Sequence, residues 1–287
     1  GLISPRSVVR SHFPLPLIMR KSNLNPFILF IFNIIENFFL KVCPIIYMGL
    51  TRAQDSHDRF IFGSDIIKLN KNSDNLNILD VGCGSGNFYT YIKKNFQNHK
   101  YLGIDFDGNH IKASKFKQKE FKLITKDLRE EWFFGEFDFV WSSEVIEHIM
   151  DDNSFFSKLV KSTKKNGYII ITTPYINSIQ NFSLKYPWHA YVSKTENGEH
   201  VRQGYSENDL YNFAKIHNLE LKNIYFITEC DDYRVKNLFK INNGIKCYIF
   251  NFLYFIKIFK YKRYVSIDDV QNKLKYYCIA AIFKKKD

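Results

Sequence analysis

Cysteine is scarce in this chain and badly spaced for any framework role. The 287 residues hold five, Cys43, Cys83, Cys230, Cys247 and Cys278, an odd number with no C-x-x-C pair. That excludes a disulfide scaffold and a cysteine-built zinc or redox site, and it reads as a set of reduced thiols in a cytoplasmic protein. Long apolar runs are missing too. A membrane-crossing helix needs about 20 predominantly apolar residues, and the best candidate, 27–42, is broken by Asn33, Glu36, Asn37 and Lys41 and followed by Pro44. Those four polar residues share one helical face, so 27–42 reads as an amphipathic helix that packs on the domain or lies on a membrane surface. No G-x-G-x-x-G follows a predicted strand, which removes the phosphate-binding turn of a dinucleotide enzyme. Acids are absent from 234–263, where Arg234, Lys236, Lys240, Lys246, Lys257, Lys260, Lys262 and Arg263 flank an aromatic run. This segment reads equally as a membrane-interface element and as a helix packed on the core with solvated lysines. In the whole chain, 41 basic residues stand against 29 acidic. The excess is spread through a chain rich in Lys, Asn, Ile, Phe and Tyr, so it carries functional weight only where it clusters.

What the chain does contain is one dense motif, Ile78-Leu79-Asp80-Val81-Gly82-Cys83-Gly84-Ser85-Gly86-Asn87-Phe88. An apolar run ends in an acid, gives way to three glycines at alternate positions, and leads into a helical pattern. This is a buried strand turning sharply into a helix, its backbone left bare for a ligand. After it, predicted strands at 101–105, 122–125, 137–141 and 168–173 alternate with predicted helices at 88–96, 109–119 and 153–163. Further strands follow at 219–228 and 276–283. Alternation of this kind gives a doubly wound α/β fold with a mostly parallel sheet. Residues 55–69 read as a helix with Asp55-Ser56 at its start, and Ser206 with Asp209 reads as a capping box opening a helix to His217. The polar, aromatic stretch 174–205 is too long for a plain connection and reads as a lid loop. The domain reading is an arm and amphipathic helix over 1–54, a core over 55–233, a basic aromatic insertion over 234–264 and a closing strand over 265–287.

The order Asp80, Gly82, Gly84, Gly86 resembles the first motif of class I S-adenosylmethionine-dependent methyltransferases. The resemblance covers roughly 76–230 plus the closing strand, and lies in the branch (types 11 and 23) that includes 3-demethylubiquinone O-methyltransferases. It implies a Rossmann-like sheet of seven strands whose last strand inserts antiparallel beside the preceding one. It also implies S-adenosyl-L-methionine as cosubstrate, with Asp80 at its charged end and Gly82, Cys83, Gly84 and Gly86 against its methionine and ribose. Asp105 would sit on the ribose hydroxyls and Asp127 at the adenine amino group. Phe106 and Leu128 would wall the adenine, and Ser142 completes the set.

Glu144, Glu147 and His148 resemble the E-x-x-E-H of the same branch. On a helix beginning near Glu144 they share one face. With His200 from the lid they form a candidate catalytic cluster, His148 or His200 serving as general base. They also form a candidate site for a divalent cation, Mg or similar, since small-RNA 2′-O-methyltransferases hold a metal with a similar set. The competing reading keeps the same residues without a metal, orienting the loop or acting on substrate. His57 and His189 read as surface histidines. The function these residues imply is O-methylation of a small, lipid-linked, glycan or quinone-type acceptor by a cytoplasmic enzyme, peripheral on a membrane if the amphipathic segments bind one. An RNA 2′-O-methyltransferase and a non-catalytic binding module are the rival readings.

Overall fold

A computed structural model describes residues 54–71, 75–108, 111, 121–185, 192–196, 198–229 and 263–287. The expected arm and amphipathic helix, nearly all of the helix expected over 109–119, almost the whole basic segment, and His189 lie outside the described residues.

Helix α1 (Gln54–Asn70) precedes β1 (Asn75–Val81), α2 (Tyr89–Asn95), β2 (Asn98–Asp105), β3 (Phe121–Thr125) and β4 (Phe137–Ser143). There follow α3 (Asp152–Lys161), β5 (Thr163–Pro174), α4 (Ile176–Lys185), α5 (Glu207–Ile216), β6 (Leu219–Glu229), β7 (Tyr264–Ser266) and β8 (Tyr276–Lys285). The strands form one sheet in the order β3-β2-β1-β4-β5-β8-β6-β7. Pairing is parallel from β3 to β5, and β8 lies antiparallel between β5 and β6. The expected topology is therefore present, with β7 added as an eighth, three-residue strand on the outer edge.

Both faces of the sheet are covered, which is why its inner strands carry apolar residues at successive positions. One core cluster joins Ile78, Trp141, Ile170 and Ala280 to Phe62 and Ile66 of α1 and Tyr89 and Ile92 of α2. The other joins Leu79, Val140, Ile171 and Ala281 to Phe155 and Leu159 of α3 and Leu210 and Phe213 of α5. Each strand thus splits its residues between the layers with a period of two. Helix α1 comes unusually close to the sheet. A Cβ at Gly63 would lie 2.6 Å from the Trp141 ring, so only glycine lets the helix seat there.

Two local readings change. α1 already includes Gln54, so Asp55-Ser56 lies within the helix rather than capping it. The lid is not all loop: α4 fills its first third, and its later part returns to the core through Tyr205, whose N donates to Pro174 O at 3.0 Å. The capping box at α5 is as expected, with Ser206 and Asp209 each satisfying the other's backbone N–H.

Candidate active site

The glycine turn, Asp105 and Glu144 all stand at or just past the carboxyl ends of parallel strands, where open α/β sheets bind ligands. Gly82, Gly84 and Gly86 have φ values of 79°, 55° and 77°. They differ in what surrounds them. A Cβ on Gly82 would strike Val145 at 2.1 Å and one on Gly86 would strike Phe121 at 2.6 Å, whereas nothing lies within 4 Å of one on Gly84. Packing demands the outer two glycines, and the middle one presents bare backbone to open space. Its N–H donates to Asp105 Oδ2 at 2.7 Å, while Asp105 Oδ1 accepts from Asp107 N at 2.8 Å.

Asp80 is 2% exposed and accepts a hydrogen bond from the Tyr101 hydroxyl. Burial pushes its carboxyl up to about 7, against the Tyr101 bond and with a smaller push from Asp105. Phe106, next to Asp105 in the chain, is partly exposed, with the Arg129 guanidinium 5.7 Å from its ring centre. Asp127 is engaged by Arg129, whose Nε donates to Oδ1 at 2.8 Å, and this holds its carboxyl below the usual range. Three expected contact residues turn inward. Leu128 is buried in the core, the Ser142 hydroxyl donates to Val81 O at 3.1 Å, and the Cys83 thiol is buried against Gly103.

The E-x-x-E-H stretch is not one helix, and this corrects the expected donor set. Glu144 has φ 57°, a left-handed conformation that breaks any helix there, and a 3-10 turn begins only at Ile146. Glu144 is accordingly not part of the cluster that Glu147 joins. Its Oε2 lies 3.8 Å from Arg59 Nη1 and its Oε1 accepts from the Cys278 thiol at 3.5 Å. The remaining three residues do come together. One donor atom from each of Glu147, His148 and His200 lies within 4.8 Å of the others, and the two imidazole rings meet edge to face at 4.6 Å.

Glu147 is fully buried, accepts from Thr173 Oγ1 at 3.2 Å through Oε2, and has no partner for Oε1. His148 Nδ1 is likewise buried without a partner. Burial raises the Glu147 carboxyl to about 7 and lowers His148, a shift opposed by the backbone at Glu199, by the Glu144 charge and by the backbone at Gly198. The lid is pinned to this turn by Val201 N on Glu147 O at 2.9 Å and by Arg202, which donates to Asp152 Oδ2 at 2.6 Å and Met150 O at 2.9 Å. These contacts bring His200 to His148. Glu147 Oε1, left without a hydrogen bond, lies 4.0 Å from His148 Nε2, and a carboxylate beside two imidazoles is a donor set that suits a borderline divalent ion better than magnesium.

The sequence pattern of the methyltransferase domain family matches residues 55–223. The chain belongs to that family. Among curated relatives, the ubiquinone biosynthesis O-methyltransferase of Pelagibacter ubique is 29% identical over 109 residues, 34% of this chain and 42% of that protein. The chloroplastic tocopherol O-methyltransferase of Arabidopsis thaliana is 31% identical over 103 residues, 33% of this chain and 29% of that protein. The matches thus span less than half of either relative. A solved structure, the YcgJ protein of Bacillus subtilis, aligns with TM-score 0.52 at 14% identity, covering 79% of this chain and 99% of that one. At that identity the likeness speaks for the shared fold of the methyltransferase domain. Three residues of this methyltransferase domain are not signalled by its motifs: His57, Asp58 and Arg59 are all buried on α1. His57, expected at the surface, is 3% exposed with Nδ1 2.6 Å from the Tyr91 hydroxyl, and burial lowers it to about 4. The available signal was three consecutive polar residues running straight into Phe60-Ile61-Phe62. Among the described residues no helix is long and apolar enough to cross a membrane.

Proposed function

We propose that this chain is an S-adenosylmethionine-dependent methyltransferase acting on an oxygen acceptor of small, lipid-linked, glycan or quinone type. The observation that carries the reading is Gly84, bare backbone at positive φ with open space beside it and its N–H on Asp105, in the turn that follows the desolvated Asp80. In this reading the Asp80 carboxylate takes the ammonium of the cosubstrate, Asp105 the ribose hydroxyls and Phe106 one face of the adenine. Asp127 reaches the adenine amino group once Arg129 swings aside. Cys83, Leu128 and Ser142 contribute backbone and packing rather than side-chain contacts. S-Adenosylmethionine supplies the electrophilic methyl group, so the protein's task is to align the acceptor, exclude water and remove its proton.

The acceptor oxygen attacks the methyl carbon as the C–S bond breaks, and its proton passes to an imidazole. His148 is the better base, because burial favours its neutral form. His200 closes the site from the lid, and Glu147 stabilises the imidazolium that forms. The same Glu147, His148 and His200 would hold a divalent ion, which would polarise the acceptor oxygen. Their convergence also favours an RNA ribose as the competing acceptor, and salt-dependent RNA binding would distinguish it. Segments 27–42 and 234–263 are assigned, on sequence alone, to acceptor choice and membrane-surface contact.

Calorimetric titration of wild type and Asp105→Ala with S-adenosylmethionine tests the reading. Micromolar binding by wild type that Asp105→Ala weakens at least tenfold supports it; a well-folded wild type that does not bind sinks it. Transfer of labelled methyl to 3,4-dihydroxybenzoate, a catechol probe, then separates an enzyme from a binding module.

A further inference from the structure

The start of α1 is packed with charge that the cosubstrate site does not use. Asp58 is fully buried, accepts from Thr228 Oγ1 at 3.2 Å and lies 3.8 Å from Arg263, while His57 meets Tyr91 of α2. Arg59 is 3% exposed and reaches the end of β4. Its Nε donates to Ser143 Oγ at 3.2 Å, its Nη2 to Ser56 Oγ at 3.1 Å, and its Nη1 lies 3.6 Å from Cys278 Sγ and 3.8 Å from Glu144 Oε2. The helix can deliver this side chain so deep because Gly63, one turn on, lets α1 settle against Trp141 of the same strand.

Glu144 is the unusual partner. It is 6% exposed and left-handed at φ 57°, a conformation that side-chain-bearing residues keep only when their surroundings enforce it. Its N–H is fixed on Thr172 O at 2.9 Å, and its carboxylate is held by Arg59 and the Cys278 thiol. The reversal at Glu144 is what sends the chain into the 3-10 turn of Ile146–His148. Glu144 therefore meets a guanidinium, and its carboxylate is not among the groups that converge in Glu147, His148 and His200.

We propose that Arg59 is a positioning residue for the acceptor side: by holding Glu144 in its left-handed conformation it fixes the turn on which Glu147 and His148 meet His200. This rests on the proposed assignment of those three residues to the acceptor. The arrangement makes α1 part of the reacting half of the molecule, acting on the histidine pair through Glu144.

The test reads the histidine rings directly and needs no turnover. Long-range ¹H–¹⁵N spectra of histidine side chains are compared for wild type, Arg59→Gln, Arg59→Lys, Glu144→Gln and the Arg59→Gln/Glu144→Gln double variant. The expected result is that His148 and His200 signals move in the same pattern in both glutamine single variants and no further in the double variant. Arg59→Lys lies closer to wild type, and His99 and His217, on distant packing, stay in place. Affinity for S-adenosylhomocysteine stays within about threefold of wild type, and kcat on the catechol probe falls roughly 10- to 100-fold at unchanged KM for the cosubstrate. Unmoved His148 and His200 signals in a folded Arg59→Gln, or additive shifts in the double variant, overturn the proposal. If Arg59→Gln does not fold, Glu144→Gln against Arg59→Lys carries the same comparison. Failure of wild type to bind the cosubstrate would instead overturn the methyltransferase reading and leave the ring comparison standing.

Discussion

Replacing Asp80 with asparagine should stabilise the empty protein and disable it. The carboxyl titrates at about 7 in the folded chain against 3.8 as a free side chain, chiefly because it is buried. The sign follows from proton counting. Between pH 4 and 7 the folded state binds more protons at this site than the unfolded state, so wild-type stability falls as pH rises through that window and levels off above it. A shift of about three units at about 1.4 kcal/mol each amounts to about 4 kcal/mol above pH 8. Of this, about 2 kcal/mol builds up between pH 5.5 and 8.5. The asparagine side chain would carry no charge and still accept the Tyr101 hydroxyl, so the variant's stability lacks this component. Urea unfolding of wild type and Asp80→Asn at both pH values measures the difference. The stability gap should widen in favour of the variant by about 2 kcal/mol at the higher pH. A gap that stays constant across the range refutes the desolvated carboxyl. In the proposed function the cosubstrate's ammonium needs the ionised form. Wild-type affinity for S-adenosylmethionine should then drop up to about tenfold per pH unit below 7, and Asp80→Asn should bind at least tenfold more weakly throughout.

Other outcomes follow from the same geometry. Gly82→Ala, which drives a Cβ into Val145, should cost several kcal/mol in chemical unfolding, whereas Gly84→Ala should cost only about 1 kcal/mol while cosubstrate binding is lost; equal losses of stability would deny the middle glycine its special place. Gly63→Ala should lower stability by about 1–3 kcal/mol by lifting α1 off Trp141, read as a shift in urea midpoint and in tryptophan fluorescence. Manganese or zinc should raise the melting temperature of wild type but not of His200→Ala, and no shift in wild type would leave Glu147, His148 and His200 metal-free. His57, neutral in the folded chain, should draw stability away by up to about 3 kcal/mol as pH falls from about 6.5 to 4; His57→Gln should remove that part of the acid sensitivity.

The sheet was legible because its signals are local. Val81 and Gly82 mark the end of a strand and the start of a turn by composition alone, and Ser206 with Asp209 announces a helix before its first apolar position. The insertion of β8 between β5 and β6 was not a local signal; it came from the resemblance, since 276–285 reads only as an apolar run. The failures have one physical root, the direction of a side chain. Spacing placed Glu144 on a helical face, but a left-handed φ sends it to Arg59. Charge placed His57 at the surface, but its bond to Tyr91 allows it inside. Leu128 and Ser142 lie in the expected stretches of chain and point the other way. Which face a polar residue chooses depends on partners far away in sequence, and nothing in the pattern of positions 57–59 names Tyr91, Thr228 or Glu144.

The position of β8 also governs how this chain can come off the ribosome. β5 and β6 both pair with 276–285, so two open strand edges must wait through the synthesis of everything between Glu229 and Tyr276. At about 5–20 residues per second that is a delay of several seconds in which both edges can recruit other chains. A nascent chain stalled before that strand should therefore engage chaperones strongly, and their release should follow the addition of 276–285 rather than the completion of 75–143.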